Sequence, residues 1–237
     1  MDSSPRPILD SKGLRPETRL VHAGISRTQF GENAEALFLT QSFVYDTAES
    51  CEARFAGEEP GYIYSRFSNP TVAMFEARMC AVEGAEAARA TATGMAAVTA
   101  SLLCQLKAGD HVVAARALFG SCRYVIEELL PRFGIQSTLV EGTDLNAWKA
   151  AVRPETKVFF LESPTNPTLE IIDIAAVAKL ARLAGARLVV DNVFATPLLQ
   201  SPFELGADIV VYSATKHIDG QGRSLGGVVA VLLHAQR

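Results

Sequence analysis

From residue 70 onward, short apolar runs alternate with stretches in which apolar positions recur every three or four residues. That alternation predicts strands separated by helices. Asn69-Pro70-Thr71 opens a helix in which Val72, Phe75, Met79 and Val82 keep helical spacing up to Gly84. Thr93-Gly94 opens a second helix over 95–106. The pattern then gives a strand over 111–115, a helix over 121–130, a strand over 135–140, a short helix around 145–152 and a strand over 157–161. Asp173 is the N-cap candidate of a helix that runs to about Ala184 and stops at Gly185. Strands over 187–190, 208–212 and 227–232 complete the order. Short apolar strands interleaved with helices imply βαβ units, hence an α/β fold whose mostly parallel sheet carries helices on both faces. Residues 1–60 have weak periodicity and many turn residues, and read as an extended N-terminal arm with at most one short helix, over about 47–55. Residues 61–237 read as the domain body.

Composition narrows the class without naming a chemistry. The 237 residues are 49% hydrophobic and 20% charged, ordinary values for a soluble protein with a substantial core. A net charge of −4 points to no nucleic-acid or membrane-surface partner. The apolar runs are too short to span a bilayer, and the first twenty residues lack the apolar stretch of a secretory signal. Cys51, Cys80, Cys104 and Cys122 show no metal-ligand spacing and read as reduced thiols of a cytoplasmic protein. His22, His111, His217 and His234 are scattered singly, so no metal site is expected.

The candidate chemistry gathers at strand ends, where open α/β sheets bind ligands. Lys216 stands in Ser213-Ala214-Thr215-Lys216-His217, just past one apolar strand, and Asp191 ends another. A lysine beside small hydroxyl residues can hold a cofactor as a Schiff base while the hydroxyls bind its phosphate. An acid at a neighbouring strand end can keep a pyridine nitrogen protonated. Those are the requirements of pyridoxal 5'-phosphate (PLP). Thr93-Gly94-Met95 is either a phosphate cradle at a helix start or a plain N-cap. Glu162 to Pro167, with two prolines, is a rigid loop in which Asn166 offers an amide to a ring hydroxyl, or an ordinary turn. Tyr64 and Arg66 offer a hydroxyl and a planar fork suited to phosphate, or simply pin the arm. Gly220, Gly222, Gly226 and Gly227 precede a strand instead of following one, which argues against dinucleotide binding and for a flexible turn.

Taken together, Val21-His22-Ala23-Gly24, Tyr64-Ser65-Arg66, Asn69-Pro70-Thr71, Thr93-Gly94-Met95-Ala96, Glu162 to Pro167, Val190-Asp191-Asn192 and Ser213 to Lys216 resemble the Cys/Met-metabolism (trans-sulfuration) family of fold-type I PLP enzymes. The resemblance implies that Lys216 carries the Schiff base and shuttles protons, and that Asp191 pairs with the ring nitrogen. It further implies that Asn166 and Glu162 serve the cofactor and that Gly94, Met95, Ser213 and Thr215 bind its phosphate. Tyr64 and Arg66 would reach a neighbouring subunit's phosphate, making the protein a homo-oligomer, a dimer of dimers. Phe119 stands where most of the family stacks a tyrosine on the ring. With Asp219 to Arg223, it is most similar to the branch that exchanges the succinyl or acetyl group of an O-acylhomoserine for sulfide, giving homocysteine. Cystathionine γ-synthase and methionine γ-lyase chemistry remain open, as does an inactive cofactor-binding fragment, because family members continue into a smaller C-terminal domain after the point where this chain stops.

Overall fold

The structure, a computed structural model, describes residues 13–233. Residues 1–12 of the expected arm and His234 lie outside that range. Contacts along the chain group into two units, Met1–Val82 and Glu83–Arg237.

In the first unit, helices α1 (Pro16–His22) and α2 (Ala48–Ala56) precede the longer α3 (Pro70–Glu83). The arm was expected to hold one short helix. Its second, α1, forms around polar end signals, with Pro16 opening it, Glu17 in its first turn and Arg19 and His22 in its last. None of its residues is buried, so periodicity could not reveal it. The arm then lies along α3. Arg78 pairs with Glu35 and donates to the carbonyl of Ala23 at 2.9 Å. Thr71 Oγ1 donates to the carbonyl of Ala36, and Asn69 Nδ2 to that of Phe38. Gly24 has φ 76°, and a Cβ there would stand 2.6 Å from the Met74 carbonyl oxygen. Close approach and left-handed backbone both demand glycine at this point. On α3, Met74 and Met79 are buried, whereas Val72 from the expected apolar stripe is exposed.

The second unit contains β1 (Ala87–Thr91), α4 (Gly94–Leu103), β2 (His111–Ala115), α5 (Gly120–Tyr124), β3 (Gln136–Val140), α6 (Leu145–Ala150), β4 (Thr156–Glu162), α7 (Ile174–Leu183), β5 (Arg187–Asp191), α8 (Thr196–Leu199), β6 (Ile209–Ser213) and β7 (Gly227–Val231). The described strands form one sheet in the order β1-β7-β6-β5-β4-β2-β3. It is parallel from β6 to β3, and β7 alone runs against its neighbours. Every residue of β2 is buried, as are Val158 to Glu162 on β4 and Leu188 to Asp191 on β5. Side chains on both faces are therefore covered, as a parallel sheet requires. Helix α4 packs across β6 and β7, and α7 against β5 and α6.

Three elements depart from the sequence pattern. Strand β1, Ala-Ala-Arg-Ala-Thr, has weak strand propensity and is held by full pairing with β7, from Ala87 opposite Val231 to Thr91 opposite Gly227. The helix expected over 121–130 loosens after Tyr124 into a π turn, Val125–Leu129, and a 3₁₀ turn, Leu130–Phe133. Pro131 lacks the amide that an α-helix would use there. Helix α8, a single turn, was not anticipated. No described helix is long and apolar enough to cross a membrane.

Trp148 stacks on Phe159 with ring centroids 5.5 Å apart, and both are fully buried. Asp173 caps α7 by accepting from the Ala176 amide at 2.9 Å. Phe159→Ala should therefore cost about 3–5 kcal/mol, and Asp173→Ala about 1 kcal/mol. Urea unfolding of both variants checks this ranking, and an equal or smaller loss for Phe159→Ala would place the core elsewhere.

Candidate active site

Three adjacent parallel strands end in chemistry. Glu162 is the last residue of β4, Asp191 of β5 and Ser213 of β6, and Glu162 stands directly opposite Asp191 in the register. All three were expected just at or beyond strand ends, and each occupies the final strand position. Around them opens a cavity of about 260 Å³ lined by Gly94, Met95, Phe119, Asn166, Thr215 and Lys216 among others. A wider groove of about 960 Å³, bearing Lys107, Lys157 and Arg187 with Asp110 and Asp208, lies where the parallel strands begin. Ligands of open α/β sheets bind at the opposite, carboxyl edge.

Asp191 is 5% exposed. Its Oδ1 accepts from the Val193 amide at 3.0 Å, and its Oδ2 faces Cys122 Sγ at 3.8 Å. No described cation pairs with it. Burial pushes its carboxyl from 3.8 up to about 6, against the pull of those two contacts. Glu162, 3% exposed, is raised to about 7, first by burial and then by Asp191. Its two oxygens accept from the backbone amides of Phe119 at 2.7 Å and Asn166 at 3.2 Å. Glu162 thus ties together the loops that present Phe119, 44% exposed, and the Asn166 side chain. Both X-Pro bonds of that second loop, before Pro164 and Pro167, are cis.

At the start of α4, Thr93 Oγ1 accepts from Ala96 and the Thr93 carbonyl from Ala97. The Gly94 and Met95 amides remain unpaired among the described residues and point outward from the helix start. Thr93 is therefore an N-cap, and the same turn has the form of a cradle. A Cβ on Gly94 would lie 2.5 Å from Ser213 Cβ. Ser213 Oγ has no described hydrogen-bond partner, whereas Thr215 Oγ1 exchanges bonds with Gly226, donating to its carbonyl and accepting from its amide. Lys216 is exposed at the cavity. Past it, Asp219 accepts from Gln221, Arg223 and Ser224, so the glycine-rich segment is a pinned turn.

Tyr64 and Arg66 belong to the first unit. There the Arg66 guanidinium stands 5.5 Å from the Tyr64 ring centroid and 4.6 Å from that of Phe67. Cys122 gave no sequence signal beyond helical spacing from Phe119, yet it touches Asp191. Its thiol is pushed up by burial and then by Asp191 and Glu162. No group of metal-ligating side chains occurs among the described residues.

Whether PLP fits can be judged from the buried acid. A carboxylate taken out of water without a cation is costly, and a protonated pyridine nitrogen is the cation this one lacks. The unpaired amides at Gly94 and Met95 and the free Ser213 hydroxyl suit a phosphate. The donor set fits the group.

Comparison with known proteins agrees with that geometry. The chain is 53% identical to O-succinylhomoserine sulfhydrylase of Pseudomonas aeruginosa over 93% of its length. It is 54% identical to the Mycobacterium tuberculosis protein of that name over 95%, and 45% identical to L-methionine gamma-lyase of Fusobacterium nucleatum over 93%. The chain spans about 55% of the length of the first two. Among solved structures, metB from Corynebacterium glutamicum superposes with a TM-score of 0.88 at 35% identity, covering 94% of this chain and 57% of that one. A protein described as O-acetylhomoserine (thiol)-lyase from Campylobacter jejuni superposes with a TM-score of 0.90 at 30% identity, covering 94% and 55%, and carries a pyridoxyl-lysine phosphate. A match over residues 17–236 completes the comparison, and the chain belongs to the Cys/Met metabolism PLP-dependent enzyme family.

Proposed function

We propose that this chain is the PLP-binding part of an enzyme that replaces the succinyl group of O-succinylhomoserine by sulfide, releasing succinate and giving homocysteine. The observation that carries the reading is the convergence of Lys216, Asp191 and the Gly94 cradle on one cavity. The 53–54% identical relatives named O-succinylhomoserine sulfhydrylase support the substrate. The 45% identical methionine gamma-lyase supports the alternative, elimination from methionine. Product analysis with O-succinylhomoserine and sulfide against methionine alone separates the two.

When bound, PLP supplies an electron sink for the pair released as bonds to the substrate α-carbon break. Lys216 Nζ would hold the cofactor covalently, and its amine, when not so engaged, would take the α-proton and return protons along the substrate. Asp191 would keep a proton on the ring nitrogen. Gly94, Met95 and Ser213 would hold the phosphate, joined by Thr215 if its hydroxyl turned away from Gly226. Phe119 would serve the ring as a stacking partner, and Asn166 would serve the ring hydroxyl. Glu162 serves the cofactor by fixing those last two. In the whole protein we place residues 1–60 as an arm, 61–237 as the large domain and a smaller domain after it. Tyr64 and Arg66 serve a neighbouring subunit's phosphate in a cytoplasmic homo-oligomer, a dimer of dimers.

Borohydride reduction of the PLP-loaded chain should fix the cofactor to Lys216, and Lys216→Ala should abolish the label. Peptide mapping decides, and label on Lys107, Lys157 or Lys179 would overturn the assignment. Gly94→Ala, whose Cβ meets the Ser213 backbone, should weaken PLP binding at least tenfold while leaving far-UV circular dichroism unchanged; wild-type affinity would remove the phosphate from that cradle.

Asp191 also predicts a pH signature for the cofactor-free chain. Below about pH 3 the group is protonated whether folded or unfolded and costs nothing. As pH rises toward 6, the unfolded chain ionises it freely and the folded one does not, so stability is lost across that window. A rise from 3.8 to about 6 is worth about 3 kcal/mol. Cofactor-free Asp191→Asn should therefore be about 2–3 kcal/mol more stable than wild type at pH 8 and no more stable near pH 3. Urea unfolding at both values checks it, and a less stable variant at pH 8 would mean that a cation already neutralises Asp191.

A further inference from the structure

Beside the cavity runs a chain of buried polar side chains that the proposed chemistry does not use. Tyr212, on β6 and 2% exposed, donates from its hydroxyl to Glu83 Oε2 at 2.7 Å and accepts from Asn192 Nδ2 at 2.5 Å. Asn192, fully buried, accepts at Oδ1 from Gln200 Nε2 at 2.7 Å. The same Nε2 donates to the Ser163 carbonyl at 2.7 Å. Asn192 Nδ2 also donates to the Gln200 carbonyl at 3.1 Å. Each link neighbours a site residue in the chain: Ser163 follows Glu162, Asn192 follows Asp191, and Tyr212 precedes Ser213. The network therefore spans the carboxyl ends of β4, β5 and β6, with Glu83 as its terminal anchor.

Glu83 is 6% exposed, and its Oε1 has no hydrogen-bond partner among the described residues. An apolar residue of similar size would be cheaper to bury at such a point. What a connected polar network adds is a single defined arrangement of the backbone segments it joins. We propose that Glu83 is a positioning residue: through the Tyr212 hydroxyl and the Asn192 amide it sets the ends of β5 and β6, and with them Asp191 and Ser213, in the arrangement that receives the cofactor. The inference rests on the reading of the cavity as the PLP site.

The groups facing the network are acids. Tyr212 faces Glu83 from β6, Asp191 stands beyond it on β5, and Glu162 stands opposite Asp191 on β4. Burial raises Glu83 to about 7, so across neutral pH it changes from a neutral acid to a buried carboxylate that only the Tyr212 hydroxyl compensates among the described residues. The neutral form is the one a buried anchor without a cation favours, so ionisation loosens the network at its Glu83 end.

The test uses this chain and two variants, Glu83→Gln, which keeps an acceptor and cannot ionise, and Tyr212→Phe, which removes one oxygen. PLP affinity is titrated from pH 6 to 8.5, and amide hydrogen exchange at Asn192 and Val193 is followed in the cofactor-free chain over the same range. Tyr212→Phe should bind PLP about tenfold more weakly at every pH and exchange faster at both amides. Glu83→Gln should match wild type at pH 6 and hold its affinity and protection above pH 7, where wild type loses severalfold in both. Asp191 and Glu162 titrate alike in wild type and Glu83→Gln, so the difference between them belongs to Glu83. Superimposable wild-type and Glu83→Gln curves would overturn the proposal even if Tyr212→Phe fails to fold. If wild type and Lys216→Ala bind PLP equally weakly, the cavity reading fails by itself, and the exchange data still decide whether Glu83 orders the strand ends.

Discussion

The structure turns on one buried carboxylate without a cation. Asp191 sits at the end of a central strand with Glu162 opposite it and Cys122 against it, and burial alone holds its carboxyl near 6. The Val193 and Cys122 contacts offset part of that burial, and a cost of about 3 kcal/mol remains. A folded chain retains such a feature where a ligand supplies the missing charge, and functional sites are where such unfavourable groups collect. The parallel sheet brings the acid to a shared edge, and α4 brings an unpaired helix start to the same edge. The loop after β6 brings the lysine.

The same constraint bears on the two buried acids nearby, Glu162 and Glu83. Glu162 has no partner cation among the described residues either, and its two oxygens instead hold two loop amides. Glu83 holds a tyrosine. Both are pushed to about 7 by burial. Three buried acids poised between 6 and 7, Asp191 and Glu162 opposite each other at the strand ends and Glu83 anchoring the network beside them, give the site an acidic character that a protonated ring nitrogen complements.

Much of this was legible in the order of residues. The apolar strands from 111 to 231 announced themselves because parallel strands are buried on both faces and read as near-continuous apolar runs. Lys216 and Asp191 stood out because each follows such a run directly. Strand β1 was invisible because its Ala-Ala-Arg-Ala-Thr sequence is held by pairing with β7, not by its own propensity. Helix α1 was invisible because it buries nothing. The Glu83–Tyr212 hydrogen bond joins residues 129 positions apart, and no local pattern connects them. Cys122 shows why the site's support was harder to read than its chemistry: its contact with Asp191 comes from what the fold sets beside it. Glu162 was named from the motif that holds it, and only its grip on the Phe119 and Asn166 amides needed the fold.

The central claim is that Asp191 keeps the ring nitrogen of bound PLP protonated. Nitrogen NMR of PLP labelled with ¹⁵N at the ring position, bound to this chain at pH 8, tests it most directly. The account predicts a pyridinium resonance in wild type that moves to the neutral pyridine position in Asp191→Asn. A neutral pyridine signal in the wild-type protein would contradict it.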